Sequence, residues 1–152
     1  VAGTERGVTE PQATFSPCYG GPFLTLHPLI YAELLKKKIE EHNVPVYLVN
    51  TGWIGGAATS GAKRISIKFT RQMISSILND SIEKSNYNRD PVFNLDIPIS
   101  IDGIPSDVLN PRDSWTDKSL YDSKSLELSN AFKENFNKYG TSIEYLKEFG
   151  PK

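Results

Sequence analysis

Apolar positions recur along this chain at two spacings, and the spacing changes where the element changes. Ile30, Leu34, Leu35 and Ile39 keep one helical face to about His42, with Lys36, Lys37, Lys38, Glu40 and Glu41 largely opposite. That is an amphipathic helix with a solvated basic and acidic side. Pro28 suits its first turn, and His27 stands at its start. Val46, Tyr47, Leu48 and Val49 follow Pro45 as a continuous apolar run, which predicts a strand buried on both faces, as in a parallel or mixed sheet. A second helix is expected from Thr70 as its cap, with Met73, Ile74, Ile77 and Leu78 on its apolar face. Residues 92–97 alternate with period two, as a half-buried strand does. Tyr121, Leu128, Phe132, Phe136 and Tyr139 form one stripe of a long helix over about 119–139, with Gly140 just past its end. Thr141 and Glu144 have the spacing of a capping box opening a last short helix, which Gly150 and Pro151 stop.

Between these elements lie less regular stretches. Residues 1–22 are rich in Gly, Thr and Pro and read as extended chain. Phe23, Leu24 and Leu26 make a short apolar run, 65–67 reads as a short strand or ribbon, and 98–117 as ordered loop. No internal repeat and no clear domain boundary appears. The class is α/β, a mixed sheet with flanking helices.

The most informative stretch joins the strand at 46–49 to the helix at Thr70. It holds Gly52, Gly55, Gly56 and Gly61, four of the chain's eleven glycines, and ends on Lys63 and Arg64. Glycines let a backbone approach an anion closely, and a helix N-terminus offers unpaired N–H groups and a positive dipole end. No Asp or Glu occurs between Glu41 and Asp80, whereas Lys63, Arg64, Lys68 and Arg71 all fall there. This is the pattern of a site for a phosphate-bearing ligand. It is not the standard phosphate loop. Gly56 and Gly61 have the right spacing, but Ala62 stands where that loop needs Lys, and Lys63 where it needs Ser or Thr. A flexible surface loop with an incidental basic pair has the same composition.

With 152 residues, 38% apolar and 23% charged, the chain can bury a core of ordinary size. Its net charge of −1 argues against general nucleic-acid binding. The charge is uneven: residues 1–76 carry eight basic and five acidic side chains, and 77–152 carry nine and thirteen. A single cysteine, Cys18, excludes an internal disulfide and points to a reducing, cytoplasmic setting. No apolar run approaches a membrane span, so no membrane partner is expected. The chain opens on Val1 without an initiator Met, which suggests a fragment.

The remaining reactive side chains form no set. His27 and His42 have no Cys or carboxylate at ligand spacing, so no metal site is expected. Cys18 has no base beside it, and Ser16 and Ser60 lack a nucleophile-elbow context. Trp53 could stack on a base or anchor its loop.

Several motifs closely resemble the C-terminal portion of ATP-dependent phosphoenolpyruvate carboxykinase. They are the run VAGTERGVTEPQATFSPCYGGPFLTLHP, YLVNTGW, GAKRISIKFTR, FNLDIP and LNPRDSW. The resemblance covers essentially the whole chain, in order. It implies part of that family's mononucleotide-binding domain, with 1–22 as a lid-like extended segment and 119–149 as C-terminal helices. The family converts oxaloacetate and ATP to phosphoenolpyruvate, ADP and CO2 in gluconeogenesis, in the cytosol, with Mn2+ and Mg2+.

Carried over by residue, the resemblance assigns Arg64, Ile65 and Thr70 to the adenine-nucleotide pocket, and residues 3–15 to a mobile loop that closes over the site. A guanidinium laid on the base, an apolar contact and a helix-start hydroxyl suit that task. The family's phosphate loop, its metal-binding Lys, His and Asp, and its oxaloacetate-binding Arg have no counterpart here. The resemblance thus implies no catalytic residue and no metal ligand in this chain. It implies a missing N-terminal part of the same polypeptide as partner, and no activity for the fragment alone. The alternative is a stand-alone, non-catalytic nucleotide-binding or regulatory module.

Overall fold

Proline and asparagine bracket the first helix, α1 (Pro28–His42). Pro28 fills a first-turn position whose N–H would have no acceptor, and Asn43 closes the helix in the left-handed region, φ 48°. His27 is the N-cap: its Nδ1 accepts from the Leu29 N–H at 3.3 Å. These features come from a computed structural model that describes residues 6–7, 9, 14–15, 21–57 and 60–152. Most of the proposed lid, 3–15, lies outside the described residues, as do Ser16 and Cys18. Contacts divide the chain into two compact units, Val1–Leu48 and Val49–Lys152.

The described part of the first unit is a 3₁₀ turn, Gly21–Phe23, and α1. Of the predicted apolar face, Ile30, Leu34 and Leu35 are exposed and Ile39 is half-buried. The predicted strand at 46–49 is not formed: the backbone there makes no ladder, and Val46 and Leu48 are 62% and 81% exposed. A strand needs a partner, and no described segment pairs with this one.

Every residue that is buried among those described lies in the second unit. Ile65, Ile82, Ile101 and Ile143 form its apolar centre, with Ser76, Ser125 and Ser129. Two antiparallel ribbons and three helices build it: β1 (Trp53–Ile54) with β2 (Lys63–Arg64), then α2 (Ile67–Leu78), β3 (Tyr87–Arg89) with β4 (Asp96–Pro98), α3 (Ser106–Leu109) and α4 (Lys118–Phe136). The chain therefore has mixed helix and strand, but as two-stranded ribbons rather than the expected mixed sheet among the described residues.

Several boundaries move for local reasons. Ser66, not Thr70, caps α2, its Oγ accepting from the Phe69 N–H at 3.2 Å. The ribbon expected at 65–67 consequently stops at Arg64. The strand expected over 92–97 begins only at Asp96. Asp90 Oδ1 accepts from the N–H groups of Val92 and Phe93 at 2.9 and 2.6 Å, and Asn94 is left-handed at φ 59°, which bends the chain into a turn. The stretch read as loop holds α3 and a 3₁₀ turn, Pro111–Ser114.

The long helix runs to Phe136 and continues as a 3₁₀ turn to Tyr139, with Gly140 at φ 79° after it. Phe132 packs edge-on against Phe93, and Tyr121 against Trp115. Ser129, 1% exposed, donates its hydroxyl to the Lys152 carbonyl, and the Lys152 N–H donates to Val92, so the chain end is tied to α4. The capping box expected at Thr141 is not made. Gly140 occupies the cap position, and the Glu144 carboxylate pairs with Lys147 at 2.7 Å in the 3₁₀ helix Thr141–Phe149. No helix among the described residues is long and apolar enough to cross a membrane.

Asp117 caps α4. Hydrogen bonds from the Ser119 hydroxyl and from the backbone N–H groups of Leu120 and Ser119 hold its carboxyl below the usual carboxylate range. A lowered folded pKa gives stability that is complete above about pH 4 and lost as pH falls through the folded value. Thermal melts of the chain should therefore show Tm falling below about pH 4, less steeply in Asp117→Ala. Equal acid sensitivity in both proteins would remove the cap from this account.

Candidate functional site

The β1–β2 ribbon sets Trp53 directly opposite Arg64 and Ile54 opposite Lys63. The Ile65 N–H donates to the Gly52 carbonyl at 2.9 Å and carries the pairing one step further, into the buried Ile65 side chain. The basic pair read from the sequence is thus a strand fixed at both ends: the core holds it at Ile65, and the glycine loop turns it back onto β1.

The loop is anchored from a distance. The Gly55 N–H donates to Ser114 Oγ at 3.1 Å, and that hydroxyl donates to the Pro111 carbonyl at 2.7 Å. Gly55 has φ 79°, and a Cβ there would lie 3.1 Å from the Ser114 carbonyl oxygen. Both conditions call for glycine. Within the loop, Ser60 donates its N–H and its hydroxyl to the Ala57 carbonyl, each at 2.9 Å. Ala58 and Thr59, at the tip, lie outside the described residues. Ser114 had no signal of its own in the sequence. It lies in the LNPRDSW run, 59 residues from its partner.

The Arg64 guanidinium lies over the Trp53 ring, its central carbon 6.0 Å from the ring centroid, at the outer reach of a cation–ring contact. Among the described residues no carboxylate pairs with Lys63, Arg64, Lys68 or Arg71. Thr70, half-buried, sits in the first turn of α2, its N–H donating to the Ser66 carbonyl at 3.0 Å. The ribbon and the start of α2 thus join four cations, without a carboxylate partner among the described residues, to a helix N-terminus, where first-turn N–H groups lack intrahelical acceptors.

A separate cleft of about 470 Å³ is lined by Arg89, Asp90, Arg112, Tyr121 and Asp122. Its charges are already engaged. Arg112 forks onto Asp122 at 2.8 and 3.0 Å, and Arg89 pairs with Asp96 at 2.9 Å. The hydrogen bond from Arg112 holds the Asp122 carboxyl below its ordinary range, and burial pushes the Tyr121 hydroxyl up. A charged ligand would have to break these pairs, whereas the ribbon's cations are unspent. No group of three His, Cys, Asp or Glu that could hold a metal ion is found among the described residues.

The family model for phosphoenolpyruvate carboxykinase, in its ATP-dependent form, matches residues 1–107, a stretch that includes the ribbon, its loop and α2. The chain belongs to the ATP-dependent phosphoenolpyruvate carboxykinase family. It is 51% identical over 152 residues to phosphoenolpyruvate carboxykinase (ATP) of Caldanaerobacter subterraneus subsp. tengcongensis, covering all of this chain and 29% of that protein. It is 47% identical over 153 residues to the Thermus thermophilus carboxykinase, again with 29% of the relative covered. The Staphylococcus aureus carboxykinase is 45% identical over 150 residues, with 99% of this chain and 28% of the relative covered. The chain thus spans less than a third of the carboxykinases it resembles, and the similarity extends through α4 to the region beyond residue 107.

Proposed function

We propose that this chain is the C-terminal portion of an ATP-dependent phosphoenolpyruvate carboxykinase and supplies the adenine side of its nucleotide site. The whole enzyme then converts oxaloacetate and ATP to phosphoenolpyruvate, ADP and CO2. The observation that carries the nucleotide assignment is the Arg64 guanidinium, placed on the β1–β2 ribbon over the Trp53 ring and without a carboxylate partner among the described residues. A planar cation of this kind offers a flat face to a base. Ile65, buried beneath the ribbon, fixes the height of Arg64 above the core. Its contribution to the pocket is then through the backbone. Thr70 adds a hydroxyl one turn into α2.

The remainder of the polypeptide is the natural partner. Coverage of 29% of the relatives supports this, as do the exposed Val46 and Leu48, whose run has strand character but no partner among the described residues. A preceding segment that pairs with 46–49 would restore the two-faced burial its composition calls for. Groups holding the divalent metals belong to that remainder. Among the described residues, no group of three His, Cys, Asp or Glu could hold them.

Arg64→Ala in the full-length polypeptide tests the assignment. Stacking is largely uniform binding, so the KM for ATP should rise about tenfold, on the order of 1–2 kcal/mol, with kcat little changed. A raised KM for oxaloacetate with an unchanged one for ATP would place Arg64 on the wrong substrate.

A further inference from the structure

Trp53 stands at the start of the glycine loop, beside the basic pair. It faces Arg64 across the ribbon, and Trp53 as a whole is 45% exposed, too open to be a core anchor. Adjacent pairs on a ribbon project to opposite faces, so Lys63, paired with Ile54, leaves the Trp53 face to Arg64 alone. An exposed arginine has many rotamers of similar energy, and ordering it on ligand binding costs entropy. The indole lies where it restricts that freedom, with the guanidinium 6.0 Å from the ring centroid. A guanidinium is flat and has two faces. Arg64 is exposed, so the side of its guanidinium turned away from the indole is open.

We propose that Trp53 is a positioning residue: its ring orients the Arg64 guanidinium so that the opposite face receives the nucleotide base, giving a three-layer stack of indole, guanidinium and base. The proposal rests on the assignment of Arg64 to the adenine. Trp53 acts through Arg64, without touching the ligand. It therefore strengthens binding only of ligands that carry a base, and only while Arg64 is present.

The test uses the full-length polypeptide and two probes measured by calorimetry, ADP and inorganic pyrophosphate, which shares the phosphates but has no base. Trp53→Leu should weaken ADP binding about three- to fivefold, the range for an exposed cation–ring contact, and leave pyrophosphate binding unchanged. Trp53→Phe, which keeps a ring face, should recover most of the loss and guards against a folding defect in the leucine variant. In an Arg64→Ala background, Trp53→Leu should have no further effect on ADP. Equal weakening of both probes would make Trp53 a structural part of the ribbon, and additive losses with Arg64→Ala would make it a separate contact. Either result overturns the proposal. If Arg64→Ala weakens ADP binding but Trp53→Leu does not, the positioning role alone falls. If Arg64→Ala leaves ADP binding unchanged, the adenine assignment falls and takes the proposal with it.

Discussion

Incubated alone with oxaloacetate, ATP, Mn2+ and Mg2+, the 152-residue chain is expected to form no phosphoenolpyruvate above background. Phosphoryl transfer depends almost entirely on positioning and on charge stabilisation around the transferred group. The glycine loop cannot supply these. Its register puts Ala62 where a lysine must reach the terminal phosphates, and Lys63 where a hydroxyl must meet the metal. The described residues bring no three metal-ligating side chains together. What remains is the basic ribbon proposed above to hold the base, and binding a base without aligning the γ-phosphate lowers no barrier. A coupled assay for phosphoenolpyruvate separates the enzymatic product from pyruvate formed by spontaneous loss of CO2. The full-length polypeptide should turn over in the same assay. Formation by the chain alone at a comparable rate would show that it holds phosphate-aligning groups of its own.

Helices were more legible than strands, because what specifies them is local. Pro28, His27 and Asn43 act within a turn of the residues they terminate, and α1 has the expected ends. The aromatic stripe likewise located α4, although Asp117 rather than a residue near 119 starts it. Where two local signals competed, the stronger geometry won. Ser66 lies three residues before Phe69 and takes its N–H, so Thr70 falls inside the helix it was expected to cap. At 92–97 the alternation was real, but the Asp90 carboxylate claimed two backbone donors and turned the chain before a ladder could form. The run at 46–49 is a different kind of failure. Its composition states that it wants burial on two faces, but not which segment provides it.

The site divides in the same way. The excess of cations between Glu41 and Asp80 is a property of composition and can be read directly. The pairing of Trp53 with Arg64 depends on ribbon register, which the loop and its anchor set. That anchor, Ser114, reaches Gly55 from the far side of α2 and the second ribbon in sequence, and no local pattern announces such a contact.

Gly55→Val should be the most damaging single substitution in the loop. The native φ of 79° is open to glycine at little cost, while a β-branched residue is strongly disfavoured there. The new Cβ would also meet the Ser114 carbonyl oxygen at 3.1 Å, and a backbone atom cannot swing aside as a side chain can. Moving the loop to relieve that contact would break the 3.1 Å bond from the Gly55 N–H to Ser114 Oγ. Together these should cost on the order of 2 kcal/mol, about thirtyfold in the equilibrium between anchored and loosened ribbon. In the full-length polypeptide, hydrogen exchange at the amides of the ribbon should accelerate accordingly, and ADP should bind more weakly. Alanine substitutions separate the two causes. Gly61 has the same φ of 79° but nothing within 4 Å of an added Cβ, so Gly61→Ala carries backbone strain alone. Gly55→Ala carries the same strain and the contact with Ser114, and should speed exchange further. Equal acceleration in the two alanine variants would mean that the Ser114 anchor does not hold the ribbon in place.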